Sequence, residues 1–291
     1  MTATREQLDY LSLKLARHGV SAFCPTTYSA SPGDLYDAVL HIGTWIKYHK
    51  KGAKPLGIHL EGPFINPSAH GAQQTRHIRK LDLEELEGLW IASQKTLKLI
   101  TVAPEPDVVP PKYLKRLCTW ARKRGIALSM GHSLATMQET TTAIKAGFRG
   151  VTHAWNAMAF HHREPGILGA ALGTPGVFTE LIIDGSHVSL PLIRWMLFLN
   201  SSRTCFVSDC VPAAGCPAGE KHLFAGKNIA FRTGACRTDD GSLAGGGLLL
   251  PDAYRRWVHL EARRTGLGKR EIIKHTIKCA TKTPLSFLAN A

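Results

Sequence analysis

Short apolar runs alternate with amphipathic stretches along most of this chain. Residues 5–18 place Leu8, Leu11 and Leu15 at helical spacing, and Gly19-Val20 closes that helix. Pro32-Gly33-Asp34 opens a second helix with Leu35, Val39, Leu40, Ile42 and Ile46 on its apolar positions. Further helices are predicted from Leu81 through Trp90, over 111–123 and over 135–146, with a helical tail near 251–263 and 268–280. Between them lie strand-like runs near 20–26, 56–61, 97–102, 126–131, 150–153, 179–184 and 204–209. Residues 222–246 hold short β-like pieces and Gly turns.

Strands alternating with helices predict a parallel α/β sheet. No Gly-rich phosphate loop follows the first strand, which counts against a Rossmann fold. The natural target is a TIM-like (β/α) barrel, with residues 1–291 as a single domain. Seven strands are found against the eight of a closed barrel. The shortfall falls at the N-terminus, where the chain opens on a helix.

The strands end in residues with chemistry. Gly-Ile-His-Leu-Glu-Gly-Pro-Phe (57–64) stops an apolar run at Glu61, Gly131-His132-Ser133 stops another, and His153 ends a third. Side chains at barrel strand ends converge on one mouth. One carboxylate and two imidazoles suit a catalytic Zn²⁺ or another borderline divalent ion, with a position left for water. Asp209 ends the last strand at the same mouth. A carboxylate there can take the proton of an attacking water and hand it to a leaving nitrogen. Arg163, in a loop with Asn156, can grip a phosphate through paired hydrogen bonds. His187, in Asp184-Gly-Ser-His-Val, can reach a substrate; His161 and His162 read as loop surface.

Charge sharpens the substrate class. Lys and Arg number 36 against 22 Asp and Glu, a net +14. The basic residues are dispersed over helix faces and loops, so no nucleic-acid partner is expected and an anionic small molecule is. No apolar stretch reaches transmembrane length, and Met1–Tyr10 lacks the apolar core of a signal peptide. The expectation is a cytoplasmic protein with no membrane partner. Seven scattered Cys without a CxxC suggest neither a disulfide framework nor a thiolate zinc site.

The segments HLEGPF (59–64), GHS (131–133), THAWNAM (152–158), HREPG (162–166), DGSHV (184–188), VSDC (207–210) and DGSLAGG (240–246) resemble, in order and spacing, those of N-acetylglucosamine-6-phosphate deacetylases of the amidohydrolase superfamily. The resemblance covers nearly the whole chain. It implies hydrolysis of the acetamide of N-acetylglucosamine 6-phosphate, with Glu61, His132 and His153 on one divalent metal ion, Zn²⁺, and Asp209 as acid/base. It implies that Asn156, the backbone at Ala157, and Arg163 take the phosphate and that His187 contacts the sugar. Gln73 stands where the resemblance implies a His that polarises the amide carbonyl; Gln can donate a hydrogen bond there but carries no charge. The first barrel strand and the accessory β-sandwich of the family are expected to be missing. An open barrel exposes two strand edges, and a homodimer is expected. Two other readings stay open: a non-catalytic sugar-phosphate-binding remnant, and an amidohydrolase acting on another amide.

Overall fold

A computed structural model describes residues 3–289; Met1 and Thr2 of the N-terminal segment and the closing Asn290 and Ala291 lie outside it. The seven expected strands form one parallel sheet. Its members are β2 (Thr26–Thr27), β4 (Ile58–Glu61), β5 (Leu97–Val102), β6 (Ala127–Met130), β7 (Gly150–Val151), β8 (Phe178–Ile182) and β9 (Thr204–Val207), hydrogen-bonded in that order. The first run splits at Pro25, which has no N–H for a ladder. Its upstream piece β1 (Ala22–Phe23) pairs instead with β3 (Lys54–Pro55), and only β2 joins β4, Thr26 opposite His59.

The helices α1 (Arg5–Arg17), α2 (Pro32–Tyr48), α3 (Leu83–Ala92), α4 (Pro111–Arg124) and α5 (Met137–Ala146) lie close to the spans read from periodicity. In α1 the inward positions are Leu8 and Ser12, while Leu11 is exposed. Thr4 and Thr136 cap α1 and α5 with reciprocal capping boxes. Three helices escape a periodicity reading: α6 (Gly166–Gly173), α7 (Leu190–Asn200) and α10 (Lys282–Ala289). The first contains three glycines and the second is almost continuously apolar, so neither shows a polar face. The tail forms α8 (Leu250–Thr265) and α9 (Lys269–Thr276), followed by a 3₁₀ turn to Ala280.

The sheet curls. Leu99, Ala127, Phe178 and Cys205, from β5, β6, β8 and β9, meet in one buried cluster around Phe287 of α10. Phe287 stacks on Phe178 at 5.3 Å between ring centres and plugs that end of the sheet. Gly150 is required beneath it, since a Cβ there would stand 2.3 Å from the Phe287 ring.

The β-like stretch after β9 is a four-stranded antiparallel sheet: β10 (Lys221–Phe224), β11 (Lys227–Arg232), β12 (Ala235–Thr238) and β13 (Leu243–Gly246). It is tied to the end of β9 by Gly246 N donating to Asp209 O at 2.7 Å. A Cβ at Gly246 would fall 1.9 Å from Ser208 O, so only glycine permits this approach.

Candidate active site

Glu61, His132 and His153 come together at the C-terminal strand ends, all three buried. Their ligand atoms lie within 4.8 Å of one another. Glu61 Oε1 is 2.9 Å from His132 Nε2 and 3.5 Å from His153 Nε2, and the two ring nitrogens are 3.0 Å apart. The backbone turns both rings inward. His132 has φ 49° and His153 φ 31°, left-handed conformations that end the strands and re-aim their side chains. This is why β7 ends at Val151 rather than running to residue 153.

The His132 tautomer follows from its partner. Nδ1 lies 2.8 Å from Ala69 O, and a carbonyl only accepts, so Nδ1 carries the hydrogen and Nε2 faces the cluster as an acceptor. Acceptor atoms thus converge on one point, and they repel unless a proton or a cation lies between them. Burial disfavours charge on His153, yet the hydrogen bond and charge of Glu61 lift its pKa to about 9. Burial pushes Glu61 up, but His132 and His153 hold it well below the usual carboxylate range. A site that draws positive charge this strongly fits a divalent ion bound by the same three side chains.

Asp209 follows β9 by two residues, also with positive φ (47°). Burial and the charge of Glu61 raise its carboxyl to about 6, against the pull of His153, His187 and His132. A carboxyl held near neutrality beside a cation-drawing cluster is poised to exchange a proton. His187 is locked by Asp184, whose Oδ1 accepts from the backbone N–H of Ser186 (2.7 Å) and His187 (2.9 Å) and whose Oδ2 meets Nδ1 at 2.7 Å.

Gln73 reaches the cluster. Its Oε1 accepts from Ser29 N (2.8 Å) and Ser29 Oγ (2.5 Å), while Nε2 lies 3.4 Å from both Glu61 Oε1 and His132 Nε2. Ser29 therefore occupies the carbonyl and leaves the amide hydrogens aimed at the mouth. Asn156, Ala157 and Arg163 lie in the loop after His153. The Asn156 amide donates to His153 O and Ala154 O, Ala157 (φ 50°) accepts from Ser133 N, and Arg163 is exposed beside His162. Among the described residues Arg163 has no carboxylate partner.

Two residues without a sequence-based role help build the mouth. Ser29 carries no sequence signal beyond following the first strand. Glu105, just past β5, accepts from Asn66 Nδ2 (2.9 Å), Ser133 Oγ (2.8 Å) and Leu134 N (2.6 Å), and so fixes the loop that begins at His132. Its signal was the same strand-end placement that singled out Glu61. Below them a buried polar chain crosses the sheet interior, His59 to Thr101, Thr101 to Thr152 and Thr152 to Ser129, each 2.7 Å. Burial pushes His59 down to about 4 and Glu180 up to about 8, so both are predominantly neutral at pH 7.

A curled seven-stranded parallel sheet with helices, a partial (β/α) barrel whose strand ends gather these groups, places the chain in the class of (β/α)-barrel hydrolases. No family model matches the chain. Relatives specify it further. It is 34% identical over 269 residues to the N-acetylgalactosamine-6-phosphate deacetylase of Escherichia coli O157:H7, covering 91% of this chain and 68% of that protein. It is 36% identical over 261 residues to the N-acetylglucosamine-6-phosphate deacetylase of Bacillus subtilis (strain 168), covering 88% and 64%. The solved N-acetylglucosamine-6-phosphate deacetylase of Thermotoga maritima superposes with a TM-score of 0.83 at 30% identity, over 97% of this chain and 73% of that one. The chain belongs to the N-acetylglucosamine-6-phosphate deacetylase family. It spans about two thirds of the length of these curated relatives.

Proposed function

We propose that this chain removes the acetyl group of N-acetylglucosamine 6-phosphate, giving glucosamine 6-phosphate and acetate. The observation that carries the reading is the convergence of Glu61, His132 and His153 within 4.8 Å, with Asp209 raised to about 6 by burial and by the charge of Glu61. Glu61, His132 and His153 would hold one divalent ion, Zn²⁺ by their nitrogen and oxygen donors. When bound, such an ion supplies Lewis acidity and an acidified water.

The chain's own residues do the rest. Asp209 takes a proton as the water oxygen adds to the acetamide carbon. It returns that proton to the amine nitrogen as the C–N bond breaks and acetate leaves. The Gln73 amide donates to the carbonyl oxygen as negative charge develops there. His187 meets the sugar, and Arg163, Asn156 and the Ala157 backbone take the phosphate. Exposed Arg163, without a carboxylate partner among the described residues, and the positive charge of the chain support a phosphorylated substrate. Seven unpaired cysteines support a reducing, cytoplasmic setting, and among the described residues no helix is long and apolar enough to cross a membrane. Exposed Trp195, Phe198 and Leu199 on α7 support a homodimer.

The test is acetate release from N-acetylglucosamine 6-phosphate, its galactosamine epimer and unphosphorylated N-acetylglucosamine, with and without Zn²⁺. The expected result is metal-dependent turnover of a phosphorylated sugar, about 10²–10⁴-fold lower in Asp209→Asn. Folded, metal-loaded protein that releases no acetate from any of them sinks the reading. Preference for the galactosamine epimer would move the substrate, not the chemistry.

A further inference from the structure

A second group of metal-type donors lies outside the mouth. Cys216 Sγ, a Glu220 carboxylate oxygen and a His222 ring nitrogen lie within 4.8 Å of one another. They come from two elements. Cys216 and Glu220 sit on the loop that runs on from Asp209, and His222 sits on β10, the edge strand of the antiparallel sheet. His222 Nε2 is sealed from solvent and has no hydrogen-bond partner, although Glu220 Oε1 is only 3.1 Å away. A buried ring nitrogen without a partner carries an uncompensated desolvation cost. A ligand between it and the carboxylate removes that cost.

We propose that Cys216, Glu220 and His222 form a second metal site, for a thiophilic divalent ion such as Zn²⁺. The donor set is selective. A thiolate and an imidazole favour Zn²⁺ over Mg²⁺ or Ca²⁺, and two anionic ligands neutralise its charge. Three protein ligands leave one position of a tetrahedral shell for water. The frame is already built: β10 pairs with β11, His222 opposite Ile229, over a core of Ala213, Ile229, Cys236 and Ala244.

The position gives the ion a role. Its ligands would clip the loop carrying Asp209 to β10. That loop is also held by Gly246 N to Asp209 O (2.7 Å), Cys210 Sγ to Leu248 O (3.1 Å), Val211 N to Gly246 O (3.4 Å), Gly215 N to Gly247 O (3.1 Å) and Gly219 N to Phe231 O (3.2 Å). The β10–β11 hairpin in turn rests on the mouth. Phe224 packs on Tyr28 at 5.1 Å between ring centres, and a Cβ at Gly226 would meet Gln74 at 2.4 Å. These are neighbours of Ser29 and Gln73. The second ion is thus a structural clamp that orders the Asp209 loop and the hairpin together.

Co²⁺ titration into chelator-treated whole chain tests this. Glu61, His132 and His153 include no thiolate, so a thiolate-to-cobalt charge-transfer band reports the Cys216 site alone. The expected result is that band in wild type, saturating by two equivalents, since Glu61, His132 and His153 take up Co²⁺ without contributing to it. Cys216→Ser and His222→Gln should each abolish it, and Glu220→Gln should weaken it at least about tenfold. No band in wild type overturns the proposal. So does a band that survives Cys216→Ser, or one lost in Cys216→Ser yet untouched in His222→Gln. Wild type alone decides the first outcome, so a variant that fails to fold does not shield the proposal. The optical readout does not depend on acetate release.

Discussion

At the scale of single residues, the Ser29–Gln73 pair decides which end of the Gln73 amide faces Glu61 and His132. A free Gln could present oxygen or nitrogen; Ser29 binds the oxygen through both its N–H and its hydroxyl. Gln73→Ala should lower kcat/KM about 10²–10³-fold, as loss of an oxyanion donor does. Ser29→Ala should cost less, about tenfold, with metal content unchanged; an unaltered kcat/KM would leave the pair without a catalytic role. Glu105→Ala strands the buried Ser133 hydroxyl and removes the acceptor of Asn66 and Leu134, and should destabilise the fold by about 1–3 kcal/mol in urea unfolding. Asp184 offers a pH test. Burial raises its pKa, but the donors from His187 and Ser186 prevail and lower it. A depressed folded pKa contributes stability above the ordinary aspartate range and loses it as pH falls through the folded value. The stability gap between wild type and Asp184→Asn should therefore be level near neutrality and shrink in acid, read from urea midpoints.

Glycines set how closely elements approach one another. Gly150 of β7 gives its Cβ space to Phe287 of α10. Phe287→Ala should cost about 3–5 kcal/mol through the cavity it leaves, and Gly150→Ala should also destabilise by overpacking. The double variant should be less destabilised than the sum of the two, because the new methyl enters the vacated space; simple additivity in thermal unfolding would show that the contact is not the cause. The helices were legible where polar and apolar faces alternate, as in α4 and α8. They were illegible in α6 and α7, where glycine or continuous apolar sequence erases the period. The first strand misled for a different reason, since Pro25 divides a run that looks continuous into pieces with different partners.

Across the whole molecule, charge and curvature do the organising. With a net +14, the field should draw a phosphosugar and weaken with salt. KM for N-acetylglucosamine 6-phosphate should rise several-fold between low and high ionic strength, while KM for the unphosphorylated sugar should stay nearly flat; equal responses would remove the field from the account. Sequence alone determined the alternation of strands and helices, the ends of the strands and the residue types waiting there. Those properties are local, written in hydrophobic period and in the residue that stops each run. It therefore named Glu61, His132, His153 and Asp209, which stand about 150 residues apart from first to last. Only the tertiary structure decided how they meet: the left-handed turns that aim the two rings, the Ala69 carbonyl that sets a tautomer, Ser29 orienting Gln73, and the curl that brings β5, β6, β8 and β9 onto Phe287. Each depends on contacts between segments distant in the chain, and a hydrophobic pattern records which face is buried but not what it is buried against.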